Sequence, residues 1–144
     1  MHLTLPWPPS VNHYWRVCKG RMCLSKAGKQ YRTDCLAAVL SQIGKPTTAS
    51  YAVTVEIAAY PPDRRVRDLD NLLKATLDAL SYCGILQDDS QIDDLRIFRG
   101  HVSDNPHLDV RVGEFVPSGM AAIMGKWPGT ESDEQVAQTL EELS

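Results

Sequence analysis

The chain lacks any run approaching the ~20 consecutive apolar residues that a membrane-crossing helix needs, so no membrane partner is expected. No secretory leader is expected either. Met1-His2-Leu3-Thr4-Leu5-Pro6 has no basic stretch followed by an apolar one, and the expected location is the cytoplasm. Paired cysteines are missing too. Of the four, Cys18 and Cys23 are five apart, while Cys35 and Cys83 are distant. No C-x-x-C occurs, and His2, His13, His101 and His107 are scattered, so neither a disulfide framework nor a structural zinc site is expected. An overall positive charge is absent as well: the formal net charge is −3.

That charge is unevenly spread. Residues 1–40 hold six basic side chains (Arg16, Lys19, Arg21, Lys26, Lys29, Arg32) against the single acid Asp34. Residues 116–144 hold only Lys126 against Glu131, Asp133, Glu134, Glu141 and Glu142. A local basic patch can attract phosphates even in an acidic protein, although a solvated helix face would look the same.

A length of 144 residues suits one domain with its own core. The alternation in His2–Leu5 predicts a short strand, and Pro6-Trp7-Pro8-Pro9-Ser10 breaks it. A basic loop is expected from Asn12 to Cys23. Ser25 is a candidate N-cap for a helix reaching Ile43, with Gly44 as its stop and Tyr31, Cys35, Val39 and Ile43 as its buried stripe. Val53, Val55, Ile57 and Ala59 alternate as in a strand, which Pro61-Pro62 ends. Asp70 can cap a second helix from Asn71 to Tyr82, with Leu69, Leu73, Leu77 and Leu80 on its apolar face and Gly84 after it. Gln87–Ser90 reads as a polar turn, and Ile92–Phe98 and Leu108–Val112 read as strands. The order β-α-β-α-β-β predicts an α/β or α+β fold with a small mixed sheet of about four strands and two main helices. This body is expected over 1–115. The rest, 116–144, is expected to be a linker followed by an acidic amphipathic helix carrying Val136, Leu140 and Leu143.

The most unusual stretch is Asp63-Arg64-Arg65-Val66-Arg67-Asp68-Leu69-Asp70. In an extended segment, Asp68 and Asp70 project to the same side and repel unless a cation sits between them. Mg²⁺ prefers such hard oxygen ligands. Asp88-Asp89 offers a third carboxylate, if the chain folds back beside the first pair. Lys74 lies four residues after Asp70, one helical turn on, where it could stabilise charge on a phosphate. Asp78 is one further turn along and could hold Lys74 in place. Arg64, Arg65 and Arg67 could contact phosphates. Taken singly, each feature has an ordinary explanation: D-x-D as turn chemistry, Lys74 as helix pairing, Asp88-Asp89 as an exposed turn. Together they point to metal-dependent phosphodiester chemistry.

The same residues resemble the RusA family of Holliday-junction resolvases. The resemblance begins at Leu5-Pro6-Trp7-Pro8-Pro9-Ser10, Asn12 and Tyr14, and continues through Ser25, Gly28 and Tyr31-Arg32. It is densest in Pro62-Asp63-Arg64-Arg65, Arg67-Asp68-Leu69-Asp70-Asn71-Leu72, Lys74 and Asp78-Ala79-Leu80. It then runs through Gly84, Leu86 and Asp88-Asp89-Ser90-Gln91, covering roughly residues 3–113. It implies a RusA-like fold and a homodimeric, Mg²⁺-dependent endonuclease that makes paired, ligatable nicks across a four-way DNA junction. The family's metal-binding catalytic carboxylates fall on Asp68, Asp70 and Asp89, with Asp88 a less certain contributor, and its catalytic lysine falls on Lys74. Asn12, Arg16, Lys19, Arg21, Arg64, Arg65 and Arg67 would then bind DNA. The negative net charge, the segment His13-Tyr14-Trp15-Arg16 and the uncovered tail after Glu114 depart from the family's pattern. A nuclease for other branched or single-stranded DNA, and a non-catalytic DNA-binding dimer, are the alternative readings.

Overall fold

The computed structural model describes residues 1–116; the expected linker and C-terminal helix lie outside the described residues. Met1–Glu114 packs as one unit. Its elements are β1 (His2–Pro6), α1 (Val11–Tyr14), β2 (Trp15–Cys18), β3 (Arg21–Leu24), α2 (Lys26–Ile43), β4 (Val53–Tyr60), α3 (Asp70–Tyr82), a 3₁₀ turn (Asp89–Gln91), β5 (Ile92–Arg99) and β6 (His107–Glu114). The mixed α+β class and the order of the main elements agree with the sequence reading.

Four strands form one sheet in the order β1-β6-β4-β5. β4 and β5 are parallel, joined by the crossover through α3, while β6 runs antiparallel to both β4 and β1. Val53, Val55, Ile57 and Ala59 of β4, Leu3 and Leu5 of β1, and Leu108 and Val110 of β6 are buried in a single cluster with side chains of α2 and α3. Alternation put these residues on one face, as the pleat requires. As a central strand, β4 is buried along its whole length, Thr54 and Glu56 included.

Helix α2 starts where expected. The Ser25 hydroxyl accepts from the Gly28 amide at 2.9 Å and itself donates to the His13 carbonyl. Gly28 is needed here because a Cβ would stand 2.6 Å from the Tyr14 carbonyl oxygen. Gly44, at φ 71°, closes the helix by donating to Leu40. Tyr31, Cys35 and Val39 are buried, but Ile43, the last helical residue, is 39% exposed.

The stripe of α3 is also rotated from the expected one. Leu72, Ala75, Thr76, Ala79 and Leu80 are buried, while Leu69, Leu73 and Leu77 only flank the core. Spacing of three and four residues fits both sets. The small alanines let the helix approach the sheet, and the leucines cover its margins.

The expected basic loop is more ordered than the sequence suggested. It forms α1 and a β2–β3 hairpin, with Trp15 opposite Leu24 and Cys18 opposite Arg21. Lys19 and Gly20 both have positive φ, 48° and 76°. That is the geometry of a two-residue turn whose twist matches a hairpin.

Candidate active site

Helical geometry begins one residue earlier than the sequence suggests. Leu69 is already helical (φ −63°, ψ −34°), and the Asp68 carbonyl accepts from the Asn71 amide at 3.2 Å. Asp68 and Asp70 are therefore related by a helical step rather than by a strand's pleat, which corrects the extended reading. Asp70 occupies the first turn, where the helix dipole favours a negative charge. Lys74 follows one turn on, and all three side chains are exposed.

Asp78 does not hold Lys74. Its carboxylate accepts from Arg32, through Nε at 2.8 Å and Nη2 at 2.7 Å, and from the Tyr14 hydroxyl. Arg32 also lies over the Tyr82 ring, 5.1 Å from its centroid. Burial, reinforced by the bond to Asp78, pushes the Tyr14 hydroxyl well above its ordinary pKa. The cluster locks α1, α2 and α3 together and so sets the position of the helix that carries Asp70 and Lys74.

The third carboxylate lies elsewhere. Asp88 caps the short turn, and Ser90 donates to its carboxylate at 2.6 Å. That bond, followed by an interaction with Asp89, holds the Asp88 carboxyl below the usual carboxylate range. Asp89 opens the turn and is exposed.

Val53 pairs with Ile92 and Ala59 with Arg99, so β4 and β5 start at the same end of the sheet. Asp89 belongs to that starting end, where Gln91 bonds to the carbonyls of Ala49 and Tyr51. Asp68 and Asp70 belong to the other end, where Arg99 donates to the Arg67 carbonyl at 2.5 Å. A strand rise of ~3.3 Å per residue puts these ends about 20 Å apart. Helix α3 spans that gap, so within one chain Asp89 does not return beside the first pair. Among the described residues, no three His, Cys, Asp or Glu side chains are arranged to hold a metal ion.

The arginines surround the Asp68 end. Arg67 donates to Asp63 at 2.6 Å and sits 6.0 Å from the centroid of the Trp7 ring. The hydrogen bond from Arg67, helped by the Arg65 amide, holds the Asp63 carboxyl down to about 2. Arg64 and Arg65 rim a trough of about 290 Å³ walled by Trp7, Pro61, Val66, Leu72 and Val102, with Arg99 also in its lining. Trp7, Asp68 and Asn71 line the trough beside it. Asn12 in α1, Arg16 in β2, Lys19 in the turn and Arg21 in β3 are all exposed. Arg99, Arg32 and Gln91 were not singled out by the sequence as site residues. Their roles come from partners more than thirty residues away.

An exposed acidic helix start beside an arginine-rimmed trough, on a small α+β domain, has the makings of a nuclease, and the comparisons agree. The family model described as "Endodeoxyribonuclease RusA" matches residues 6–113. A crossover junction endodeoxyribonuclease from Enterobacteria phage 82 is 40% identical over 113 residues, covering 78% of this chain and 93% of the relative. The corresponding protein of Escherichia coli K12 is 39% identical over 112 residues, 78% and 92% of the two chains. That of Enterobacteria phage HK97 is 36% identical over 110 residues, 76% and 91%. The chain belongs to the RusA family of endodeoxyribonucleases. Among the described residues, no helix is long and apolar enough to cross a membrane.

Proposed function

We propose that this chain is a Mg²⁺-dependent endonuclease that resolves four-way DNA junctions as a homodimer by paired, symmetrical nicks. The observation that carries the reading is the head of α3. None of the ion pairs among the described residues engages Asp68, Asp70 or Lys74, whereas Asp63 and Asp78 each have an arginine. Carboxylates left without a protein cation, beside a lysine and exposed arginines, suit binding of a hard cation and a phosphate together. The relatives' description as crossover junction endodeoxyribonucleases supplies the substrate.

Asp68, Asp70 and Asp89 would be the Mg²⁺ ligands, and Asp88, committed to its own turn, is the weaker candidate. Bound there, Mg²⁺ would supply Lewis-acid polarisation of the scissile phosphate. Lys74 stabilises the negative charge that grows on the phosphate during attack by water. Arg64, Arg65 and Arg67, with Asn12, Arg16, Lys19 and Arg21, fix the register of the junction arms through the backbone.

The distance between Asp89 and the Asp68–Asp70 pair supports the homodimer. A two-fold axis can place the start of β5 of one chain beside the head of α3 of the other, completing two equivalent sites for two symmetrical cuts. The test is cleavage of a mobile four-way junction, with duplex and flap controls. Asp70→Asn is expected to bind the junction as wild type does, while Mg²⁺-dependent cleavage falls by about three orders of magnitude or more. A mutant that still cuts would remove Asp70 from the site. Equal cleavage of duplex or flap by the wild type would replace the resolvase reading with a broader nuclease.

A further inference from the structure

The side chain of Gln91 uses its full hydrogen-bonding capacity on backbone groups. Its Oε1 accepts from the amides of Gln87 at 2.7 Å and Asp88 at 3.0 Å. Its Nε2 donates to the carbonyls of Ala49 at 2.9 Å and Tyr51 at 3.1 Å. A primary amide has two acceptor lone pairs and two N–H donors, so nothing is left over. The two amides on one side and two carbonyls on the other also fix which way the carboxamide points. Around it, the Ala49 amide donates to Ile85 and Ala49 bridges Leu86. The turn that presents Asp89 is thereby fastened to the segment leading into β4.

We propose that Gln91 is the positioning residue for Asp89, holding its turn in the form that receives the cation. The proposal rests on the reading of Asp89 as a metal ligand. No other side chain substitutes easily. Glutamate keeps the acceptors but sets a negative charge against two carbonyls. Asparagine is one methylene short, and methionine fills the space with no hydrogen bonds. Partners of this kind, one step removed from the ligands, typically alter metal affinity by about 10–100-fold when lost.

The experiment uses the full chain carrying Gln91→Glu, Gln91→Met or Asp89→Asn beside wild type. Mn²⁺ binding is measured by calorimetry, amide hydrogen exchange at Gln87 and Asp88, junction binding in EDTA, and thermal unfolding. Expected are faster exchange at Gln87 and Asp88 in Gln91→Met, which offers those amides no acceptor, and in both Gln91 variants Mn²⁺ affinity weakened about 10-fold or more. Junction binding should stay at the wild-type level, and the variants should remain folded. Wild-type Mn²⁺ affinity in a folded Gln91 variant, with Asp89→Asn impaired, overturns the positioning role alone. Wild-type affinity in Asp89→Asn overturns the ligand reading and the positioning role with it. Weakened binding that tracks a loss of folded protein in both Gln91 variants makes the residue purely structural and also overturns the proposal.

Discussion

Asp63 and Asp68 stand five residues apart in the same arginine-rich stretch but in opposite electrostatic situations. Asp63 is neutralised by Arg67, while Asp68 has no ion pair among the described residues. The hydrogen bond from Arg67 keeps the Asp63 carboxyl ionised down to about pH 2. Since its folded-state pKa lies below the unfolded value of ~3.9, whatever stability the pair contributes is complete above about pH 4 and is lost as pH falls towards 2. A carbon-detected NMR titration should find the Asp63 midpoint near 2, and Arg67→Met should raise it towards, but not fully to, about 3.9, because the Arg65 amide still donates to the carboxylate. A midpoint unchanged by that substitution would show that Arg67 is not the cause. At this scale the sequence placed Asp68, Asp70 and Lys74 near one another, because they owe their proximity to local spacing. It misassigned Asp78. Helical spacing offered Lys74 as a neighbour, but Arg32 and Tyr14 arrive through tertiary packing, 46 and 64 residues away.

At the scale of elements, the first turn of α2 lies tightly against Tyr14. A Cβ at residue 28 would meet the Tyr14 carbonyl at 2.6 Å and Leu24 Cδ2 at 2.9 Å. Gly28→Ala is expected to destabilise the fold by ~1–3 kcal/mol in urea unfolding, because overpacking outweighs alanine's better helix propensity. An unchanged or raised midpoint would mean that α1 yields at no cost. The helices and main strands were legible because their caps, stops and periodicity agree with the packing. The β2–β3 hairpin was not. Lys19-Gly20 is a weaker turn signal than Asn-Gly, and four-residue strands give little periodicity to read. The rotation of the α3 stripe was also hidden, since hydrophobicity favours its leucines and close packing favours its alanines.

For the whole molecule, strand order keeps Asp89 and the Asp68–Asp70 pair at opposite ends of the sheet. Nothing in the residue pattern signals that Asp89 stays at the start of β5, because the parallel pairing of β4 with β5 is a long-range contact. Mixing Asp70→Asn with Asp89→Asn tests the shared site. In a mixed dimer with sites built across the axis, one site carries both defects and the other carries none. The mixture should regain single-strand nicking of a junction that neither mutant cuts alone. No recovery, with subunit exchange verified, would place all the ligands in one chain.

A site shared across the length of β4, between the two acidic ends, would set a dose threshold. If the site is shared, the active species forms in proportion to the square of the free chain concentration while most chains are single. Halving expression in that regime would cut resolving capacity about fourfold, by mass action. A scarce chain could be present in a cell without endangering its DNA, and a modest burst of synthesis would be enough to arm it.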